Sequence, residues 1–432
     1  MSLPPEMLNE ILARLPFEDL VLTCRLSRAW RRRWESVPGL DIRLDPRSAA
    51  APDAPALWRR AAAPDARALW RCAAPVGGFT ARVRARHFHR AARWLLALAR
   101  KRVRKLVLWF DYPSAADSAP VVGPALFSCA ALTKLQLYGY CHLPRAPPGF
   151  QGFPNLVTLV LGNLLLPFPG AAAQLRCLIS SAPGLRELSL HNVDAGGAGA
   201  DLEICAIRAP SLRVLSLSIF LDNGCRLAED LPLLEVAAIS IDALIGTPAF
   251  VDTFRRISNV NTLSFRADSK QIEENPLEGI SWMFQNLRVA ELTANFGKLP
   301  SIRSIFSLLR FGPHVEELYI KAENRSALFE DLDPAALEDA VLADTIDQDI
   351  LDAEISDDLF ANLKHISLHG MRSLPNDMWF MKSLLSKTGL LESFLVTFNY
   401  GEGTEACAEL QACEKASPQA RLELITITEM PA

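Results

Sequence analysis

The sequence predicts an α/β fold in which a solenoid of stacked strand-and-helix units follows a small unit of three short helices. A six-residue pattern, L-x-x-L-x-L, recurs from about residue 79 to the end of the chain, with amphipathic helical stretches between its copies. The first forty residues instead carry helix signals only. Half of the 432 residues are hydrophobic and 22% are charged, which excludes a globally disordered chain.

The opening helix is predicted from proline placement and apolar spacing. Pro4 and Pro5 favour a helix start, and Pro16 ends the stretch. A second short helix carries Leu20, and Ser27 can cap a third. So small a unit cannot bury all of its large apolar side chains internally, so it must lend an apolar face to a partner or to the rest of the chain. The stripe on the first helix comprises Leu8, Ile11, Leu12 and Leu15, and the third helix carries Trp30 and Trp34 four residues apart.

The run LPPEMLNEILARLPFEDLVLTCRLSRAWRRRW, residues 3–34, resembles an F-box of the kind found in plant F-box proteins with leucine-rich repeats. The resemblance implies that residues 1–44 dock on the SKP-family adaptor, and through it on a cullin, of an SCF ubiquitin ligase. The other interpretation is an ordinary helical cap on the repeat array. The resemblance assigns adaptor contact to Leu3, Pro4, Leu8, Ile11, Leu15, Pro16, Leu20, Leu26 and Trp30.

Residues 45–78 are rich in alanine, proline and arginine and are interpreted as a linker. Within them, APDAPALWRRAA at 51–62 is followed by APDARALWRCAA at 63–74, a tandem duplication. Trp58 and Trp70 could still pack, because exposed tryptophan is costly. We expect deletion of residues 63–74 to change stability by no more than about 0.5 kcal/mol.

The repeats occupy residues 79–432 and match the leucine-rich-repeat period, with one insertion at 323–358. Each copy predicts a strand, and helices are predicted over 171–181, 248–257, 301–309 and 376–386. Their irregular spacing resembles plant F-box repeats more than receptor-type repeats, and the LKHISL and LESFLV copies resemble an FBD-type module in rhythm. The copies are VRKLVL (103–108), LTKLQL (132–137), LVTLVL (156–161), LRELSL (185–190), LEICAI (202–207), LRVLSL (212–217), LEVAAI (234–239), VNTLSF (260–265), LRVAEL (287–292), VEELYI (315–320), LKHISL (363–368), LESFLV (391–396) and LELITI (422–427).

One face of the predicted strands forms the candidate substrate surface. Because strand side chains alternate, the leucines of the pattern point inward, and positions 3, 5 and 7 face the concave side. These positions mix charges of both signs with aromatic anchors, which suits a protein partner better than a phosphate backbone. The candidates are Trp109, Lys134, Tyr138, Glu187, His191, Arg266, Glu291, Tyr319, Lys321, His365 and His369.

Charge is distributed unevenly along the chain, although the formal net charge is only −4. Residues 1–105 hold 22 Lys and Arg against 9 Asp and Glu, and residues 323–358 hold 13 acids and one arginine. The basic stretch 82–105 supports an alternative function, a nucleic-acid-binding solenoid, although arginines also solvate partly buried helices. The acidic insert is either a solvated excursion with a helix of one apolar edge, or a docking segment for a basic surface.

Other classes of protein lack support in the sequence. No nucleotide-binding, hydrolase or zinc-protease motif occurs, so we expect a non-enzymatic protein without cofactor or metal. Nine scattered cysteines without a C-x-x-C pair indicate a reducing compartment, the cytoplasm or the nucleus. The uncharged stretch 146–175 contains five prolines, which excludes a membrane-spanning helix there.

Overall fold

The structure is a computed structural model, and it divides into two compact units. Unit 1 comprises Met1–Ser216 and Asn223–Leu233, and unit 2 comprises Leu217–Asp222 and Leu234–Ala432. The described residues are 4–30, 32–44, 69, 72–84, 88–111, 119–166, 170–193, 205–219, 225–227, 229–241, 248–267, 274–278, 280–323, 346–356, 358–399 and 403–426.

Unit 1 begins with α1 (Pro5–Ala13) and α2 (Phe17–Leu22), each entered through an extended proline. The third predicted helix is absent as such. Its place is taken by short 3-10 turns at Thr23–Arg25, Arg28–Trp30 and Arg33–Ser36. Arg32 separates the last two turns with φ −126°, a backbone angle outside the helical region, so a continuous helix cannot form.

The helices of residues 4–37 share their core with the first strand, β1 (Leu40–Leu44). Phe17 and Trp34 pack edge to face, with ring centroids 6.0 Å apart. Leu12 and Leu20 are buried with them, as is Ile42 on β1. The small helical unit therefore completes its core on the sheet of unit 1.

Parallel strands dominate the rest of unit 1, in the order β1-β2-β3-β4-β5-β6. Strand pairing starts before residue 79, because β2 (Val76–Val83) pairs with β1 and β3. The described end of the LEICAI copy, Cys205–Ile207, forms β7, which pairs with β9 in a separate two-stranded sheet. The remaining elements are β3 (Lys105–Phe110), β4 (Lys134–His142), β5 (Thr158–Leu165), β6 (Glu187–His191), β7 (Cys205–Ile207), β8 (Val214–Ile219, at the division between the units), β9 (Cys225–Leu227), α3 (Phe88–Arg100), a 3-10 turn at Pro124–Ser128 and α4 (Ala171–Ser180).

Unit 2 repeats the arrangement, with its parallel strands in the order β10-β11-β12-β13-β14-β15-β16. The helices pack their aromatic residues together: Phe306 lies 6.2 Å from Phe380 between ring centroids. The predicted helices at 248–257, 301–309 and 376–386 are present, each within two residues of the predicted ends. The elements are β10 (Val236–Ile241), α5 (Pro248–Arg256), β11 (Thr262–Ala267), β12 (Val289–Ala294), α6 (Leu299–Phe311), β13 (Glu317–Ala322), α7 (Gln348–Ala353), β14 (His365–Met371), α8 (Pro375–Lys387), β15 (Ser393–Phe398), α9 (Thr404–Ala412) and β16 (Arg421–Thr426).

Successive repeats are joined by the same backbone hydrogen bonds at the same positions. In the LKHISL copy, the amides of Lys364 and His365 both donate to the carbonyl of Glu316, and the next copy does the same to Lys364. Asparagines that precede a copy add a side-chain bond to the preceding repeat, as Asn362 does to the Pro313 carbonyl at 2.7 Å. These contacts fix one register along the stack.

The register corrects the last predicted copy, LELITI at 422–427. Leu422 pairs with Phe394, which holds position 4 of its own copy, and Leu424 pairs with Val396 at position 6. The copy is therefore QARLEL, residues 419–424. The pattern expects a leucine at position 1, but Gln419 stands there, and Arg421 holds position 3. The copy was therefore not recognised from the sequence.

The described part of the acidic insert packs on the helices of unit 2. Leu351 on α7 is fully buried, and Asp352 accepts a hydrogen bond from the indole of Trp379 on α8 at 3.0 Å. Glu354 pairs with both Arg303 and Arg310 of α6, at 2.8 and 3.1 Å. Residues 346–356 therefore form part of the helical layer. Of the expected apolar edge, Leu337, Val341 and Leu342 lie outside the described residues.

Part of the duplication is also packed. Leu69 and Cys72 are buried, the amide of Ala73 donates to the carbonyl of Glu35 at 2.7 Å, and the ammonium of Lys101 donates to the carbonyl of Cys72. Trp58 and Trp70 lie outside the described residues. The burial of Leu69 and Cys72 changes the result expected for deletion of this segment.

Deleting residues 51–62 and deleting residues 63–74 give proteins of equal length that differ at two positions. The second deletion puts Pro55 where Arg67 stood and Arg60 where buried Cys72 stood. We predict that only the second deletion destabilises the protein, by about 3 kcal/mol, because it places a guanidinium in a buried site beside the ammonium of Lys101. Urea unfolding measures both. Adding Arg60→Cys to the second deletion should restore stability, and equal stability of the two deletions would show that this site tolerates a charge.

Two adjacent residues of α7 test whether the insert is integrated into unit 2. Leu351 is fully buried, whereas Ile350 is 44% exposed. We predict that Leu351→Ala lowers the free energy of unfolding by about 2–4 kcal/mol, and Ile350→Ala by less than about 0.5 kcal/mol. Chemical denaturation measures the difference, and two equally small effects would mean that α7 does not contribute to the core.

Candidate protein-binding surfaces

The exposed apolar residues of α1 and the turns that follow it form the first surface. Met7, Ile11 and Leu15 recur at i, i+4 and i+8 and are 52%, 48% and 37% exposed. Leu26, in the turn before Arg28–Trp30, is 68% exposed. We call these four residues the apolar patch. Large apolar side chains on one side of a short helix, open to solvent, are typical of a binding surface.

The predicted adaptor contacts divide between this patch and the core. Pro4, Ile11, Leu15, Pro16 and Leu26 are exposed. Leu8 and Trp30 are half-buried, Leu20 on α2 is buried, and Leu3 lies outside the described residues. The stripe splits because Leu12 packs inward while Ile11 and Leu15 point outward. Sequence reasoning missed Met7, although its spacing four residues before Ile11 was the available signal.

The second surface lies on the strands of unit 1. Strand register places Arg82, Trp109, Tyr138 and His191 in one row, with Gly162 between the last two. The rings of Trp109 and Tyr138 stack, with centroids 5.6 Å apart and planes 8° apart. Trp109 keeps 41% of its surface exposed. Two of the expected aromatic anchors, Trp109 and Tyr138, therefore lie side by side on one face of the unit 1 strands.

Two glycines make room for this stack. A Cβ atom on Gly162 would lie 3.0 Å from the Tyr138 ring, so a larger residue there would press on the ring. Gly139 has φ +104° and passes so close to Phe110 that a Cβ would lie 1.9 Å from its carbonyl oxygen. The backbone can therefore pass close beneath the two rings. The rings of Trp109 and Tyr138 line a cavity of about 610 Å³.

Polar residues from several strands complete the cavity. Arg82 pairs with Asp111 at 2.7 Å. Arg43 on β1 and Asn163 on β5 also line the cavity. Arg43 and Arg82 were missing from the predicted face, because β1 and β2 match the leucine pattern poorly: β2 reads VGGFTARV. The alternation of apolar residues with polar or small ones along these two strands was the sequence signal that remained for predicting them.

The other unit 1 candidates lie on neighbouring strands. Lys134 and Glu187 hold position 3 on β4 and β6 and are half-buried, and Glu187 accepts a hydrogen bond from Thr158 at 3.1 Å. Burial lowers the pKa of His191, which favours its neutral form. Val107, expected on the concave face, is instead only 8% exposed, because small side chains at position 5 are covered by their neighbours.

Unit 2 presents its own strand surface. Tyr319 pairs in register with Glu291 and Ser367, and Lys321 pairs with Thr293 and His369. Arg266 extends the row of Lys321, so position 7 is mainly basic and position 5 carries Glu291. Every predicted unit 2 candidate is exposed or half-buried: Arg266, Glu291, Tyr319, Lys321, His365 and His369.

Hydrogen bonds hold several of these side chains in place. Tyr319 donates to Glu317 at 2.8 Å, and this bond raises the pKa of the tyrosine hydroxyl. The ring nitrogens of His365 and His369 lie 2.9 and 3.3 Å from the hydroxyls of Ser393 and Thr397. The unit 2 surface is therefore polar and mixed in charge.

The described arginines of the basic stretch 82–105 are divided among a strand, a helix and the loops beside them. Arg82 lies on β2 and pairs with Asp111, whereas Arg93 and Arg100 lie on α3, whose Trp94 and Leu98 are buried. Its arginines therefore occupy separate elements.

Metal-ligand clusters and reactive thiols are two features that would indicate chemistry at a site. No group of three or more His, Cys, Asp or Glu side chains that could hold a metal is found among the described residues. Burial raises the pKa of Cys129 and Cys141 to about 12, so these thiols are poor nucleophiles at neutral pH. Within the same part of the chain, none of the helices has the length and apolar character needed to cross a bilayer.

Comparisons with known proteins match both parts of the chain. Residues 91–320 match the family model described as FBD-associated F-box protein At5g56370, LRR repeats, and residues 1–40 match the F-box domain. F-box/FBD/LRR-repeat protein At1g13570 of Arabidopsis thaliana is 24% identical over 452 residues, which cover 98% of this chain and 97% of the relative. FBD-associated F-box protein At4g13985, also from Arabidopsis thaliana, is 26% identical over 51% of this chain and 47% of its own length. F-box/LRR-repeat protein 13 of the same plant is 51% identical over 41 residues, 10% of this chain and 9% of the relative.

Proposed function

Because this chain belongs to the FBD-associated F-box family with leucine-rich repeats, we propose that it is the substrate-recognition subunit of an SCF-type ubiquitin ligase. In this role the F-box binds an SKP-family adaptor, and through it a cullin, in the cytoplasm or nucleus. The strand surfaces bind a protein substrate. The subunit performs no chemistry itself: it brings the substrate near the subunits that carry ubiquitin.

The observation that carries the proposal is the apolar patch of Met7, Ile11, Leu15 and Leu26. Leu12 and Leu20 already supply the internal core, so the patch residues are not needed to hold α1 and α2 on β1. Burying them would remove apolar surface from water, which stabilises a complex by about 25 cal/mol per Å² before association costs. A partner with an apolar groove is therefore the expected occupant.

The strand surfaces support a protein substrate more than a nucleic acid. Trp109, Tyr138 and Tyr319 offer aromatic anchors, and arginine and acidic side chains stand among them. Protein interfaces concentrate binding energy in such aromatic and arginine residues. A phosphate backbone would meet the carboxylates of Asp111, Glu187 and Glu291 on these same surfaces.

We predict that Ile11→Asp with Leu15→Asp abolishes binding to a purified plant SKP-family adaptor. A carboxylate in an apolar interface costs several kcal/mol, enough to weaken binding at least a thousandfold. Both side chains are exposed, so the melting temperature should hardly change. Calorimetric titration of the full chain with the adaptor measures the loss.

Leu96→Asp is the matched control, because Leu96 is 52% exposed on α3, outside the F-box. It should bind the adaptor normally. Unimpaired binding by the double variant would contradict the proposal, and so would equal losses in the control and the double variant.

A further inference from the structure

The cavity beside Trp109 brings together the guanidinium of Arg82, the indole ring of Trp109 and the phenol ring of Tyr138. Arg82, Trp109 and Tyr138 stand on consecutive strands in one register row, with about 4.8 Å between neighbouring strands. Arg43 adds a second guanidinium from β1. The volume, about 610 Å³, falls within the range of about 300–1,000 Å³ that is usual for ligand sites.

Charge on this part of the sheet favours an acidic occupant. The strand faces of β1 to β4 carry Arg43, Arg82, Lys105 and Lys134, and the acidic groups beside them are Asp41 and Asp111. Counting these groups, four cations and two anions leave a local charge of +2. Of the two cations that line the cavity, Arg82 is paired with Asp111, and Arg43 is exposed and has no ion pair with another described residue, so Arg43 can receive a carboxylate.

We propose that this cavity binds an extended peptide segment of the substrate in which a carboxylate side chain lies two residues from a planar one. Alternate side chains of an extended chain point the same way, about 6.8 Å apart. Arg82 stands one strand from Trp109 in the same row, and Arg43 pairs with Thr80, two residues before Arg82. The carboxylate therefore sits between the guanidinium groups of Arg43 and Arg82 while the planar group packs on exposed Trp109. The proposal rests on the proposed function and specifies which segment of a substrate is recognised.

A single-stranded nucleic acid is less well matched to the same residues. Its bases could stack on Trp109, but its backbone carries a charge at every nucleotide. Asp41 and Asp111 lie on the path of such a backbone across the strands. A single carboxylate beside Arg43 meets less of this repulsion than a backbone that is charged at every nucleotide.

Fluorescence polarisation of the full chain with a labelled heptapeptide tests the proposal. The peptide carries glutamate, one spacer and phenylalanine at its centre, and its two controls replace the glutamate by glutamine or the phenylalanine by alanine. We expect Trp109→Ala to weaken binding about tenfold or more, and Trp109→Phe to retain most of it. Arg43→Gln should weaken binding about fivefold and remove most of its salt dependence.

Two matched variants control for general damage to the fold. Tyr140→Ala removes an exposed aromatic residue of β4, the strand next to that of Trp109, which does not line the cavity, and Arg93→Gln removes an exposed arginine on α3. Both should bind the peptide normally. Equal binding of the peptide and its controls, unchanged binding by Trp109→Ala, or stronger binding of a labelled oligouridylate at the same site would each overturn the proposal.

The measurement is made without adaptor, so its failure is distinct from failure of the proposed function. The variant Ile11→Asp with Leu15→Asp should keep full peptide affinity. Lost peptide binding alongside intact adaptor binding would reject this site and leave the ligase role in place.

Discussion

Parallel pairing of each strand with the next repeat, in one fixed register, is the constraint on which both units depend. A single repeat cannot bury its leucines, so its core exists only when its neighbours cover it. The recurring bonds from positions 2 and 3 to the preceding repeat, as at Lys364 and His365, fix that register. Once it is fixed, residues far apart in sequence, such as Trp109 and Tyr138, stand side by side, and the binding surfaces follow.

The F-box uses the same sheet for a different purpose. Its core residues Leu12, Leu20 and Trp34 pack with β1, and β1 in turn pairs with β2. The sheet thus supports the helices of the F-box through α2, and the apolar patch stays exposed. An isolated F-box segment would lose that support, so the repeat array stabilises the surface proposed to bind the adaptor in addition to displaying its own strand surfaces.

Sequence reasoning located most of the repeats because leucine spacing reports burial directly. It failed where the buried residues are not leucine. In β2, Phe79 and Ala81 take the inward positions, so the leucine pattern missed this strand. In the last strand, Gln419 holds position 1 of the copy, so the pattern placed that copy three residues too late. For the F-box, the family resemblance grouped Leu20 with Ile11 as adaptor contacts, although Leu20 is buried and Ile11 is exposed; only the packing of α2 on β1 decides which apolar residues turn inward. Arg43 and Arg82 joined Trp109 through strand pairing that no local pattern encodes.

The central claim is a division of labour: the apolar patch binds the adaptor while the strand surfaces stay open for a substrate. Hydrogen–deuterium exchange of the full chain, free and bound to an SKP-family adaptor, tests it most directly. The account predicts slower exchange in α1 (Pro5–Ala13) and around Leu26, with exchange in β3, β4, β13 and β14 unchanged. Slower exchange in β3 and β4 without a change in α1 would contradict it.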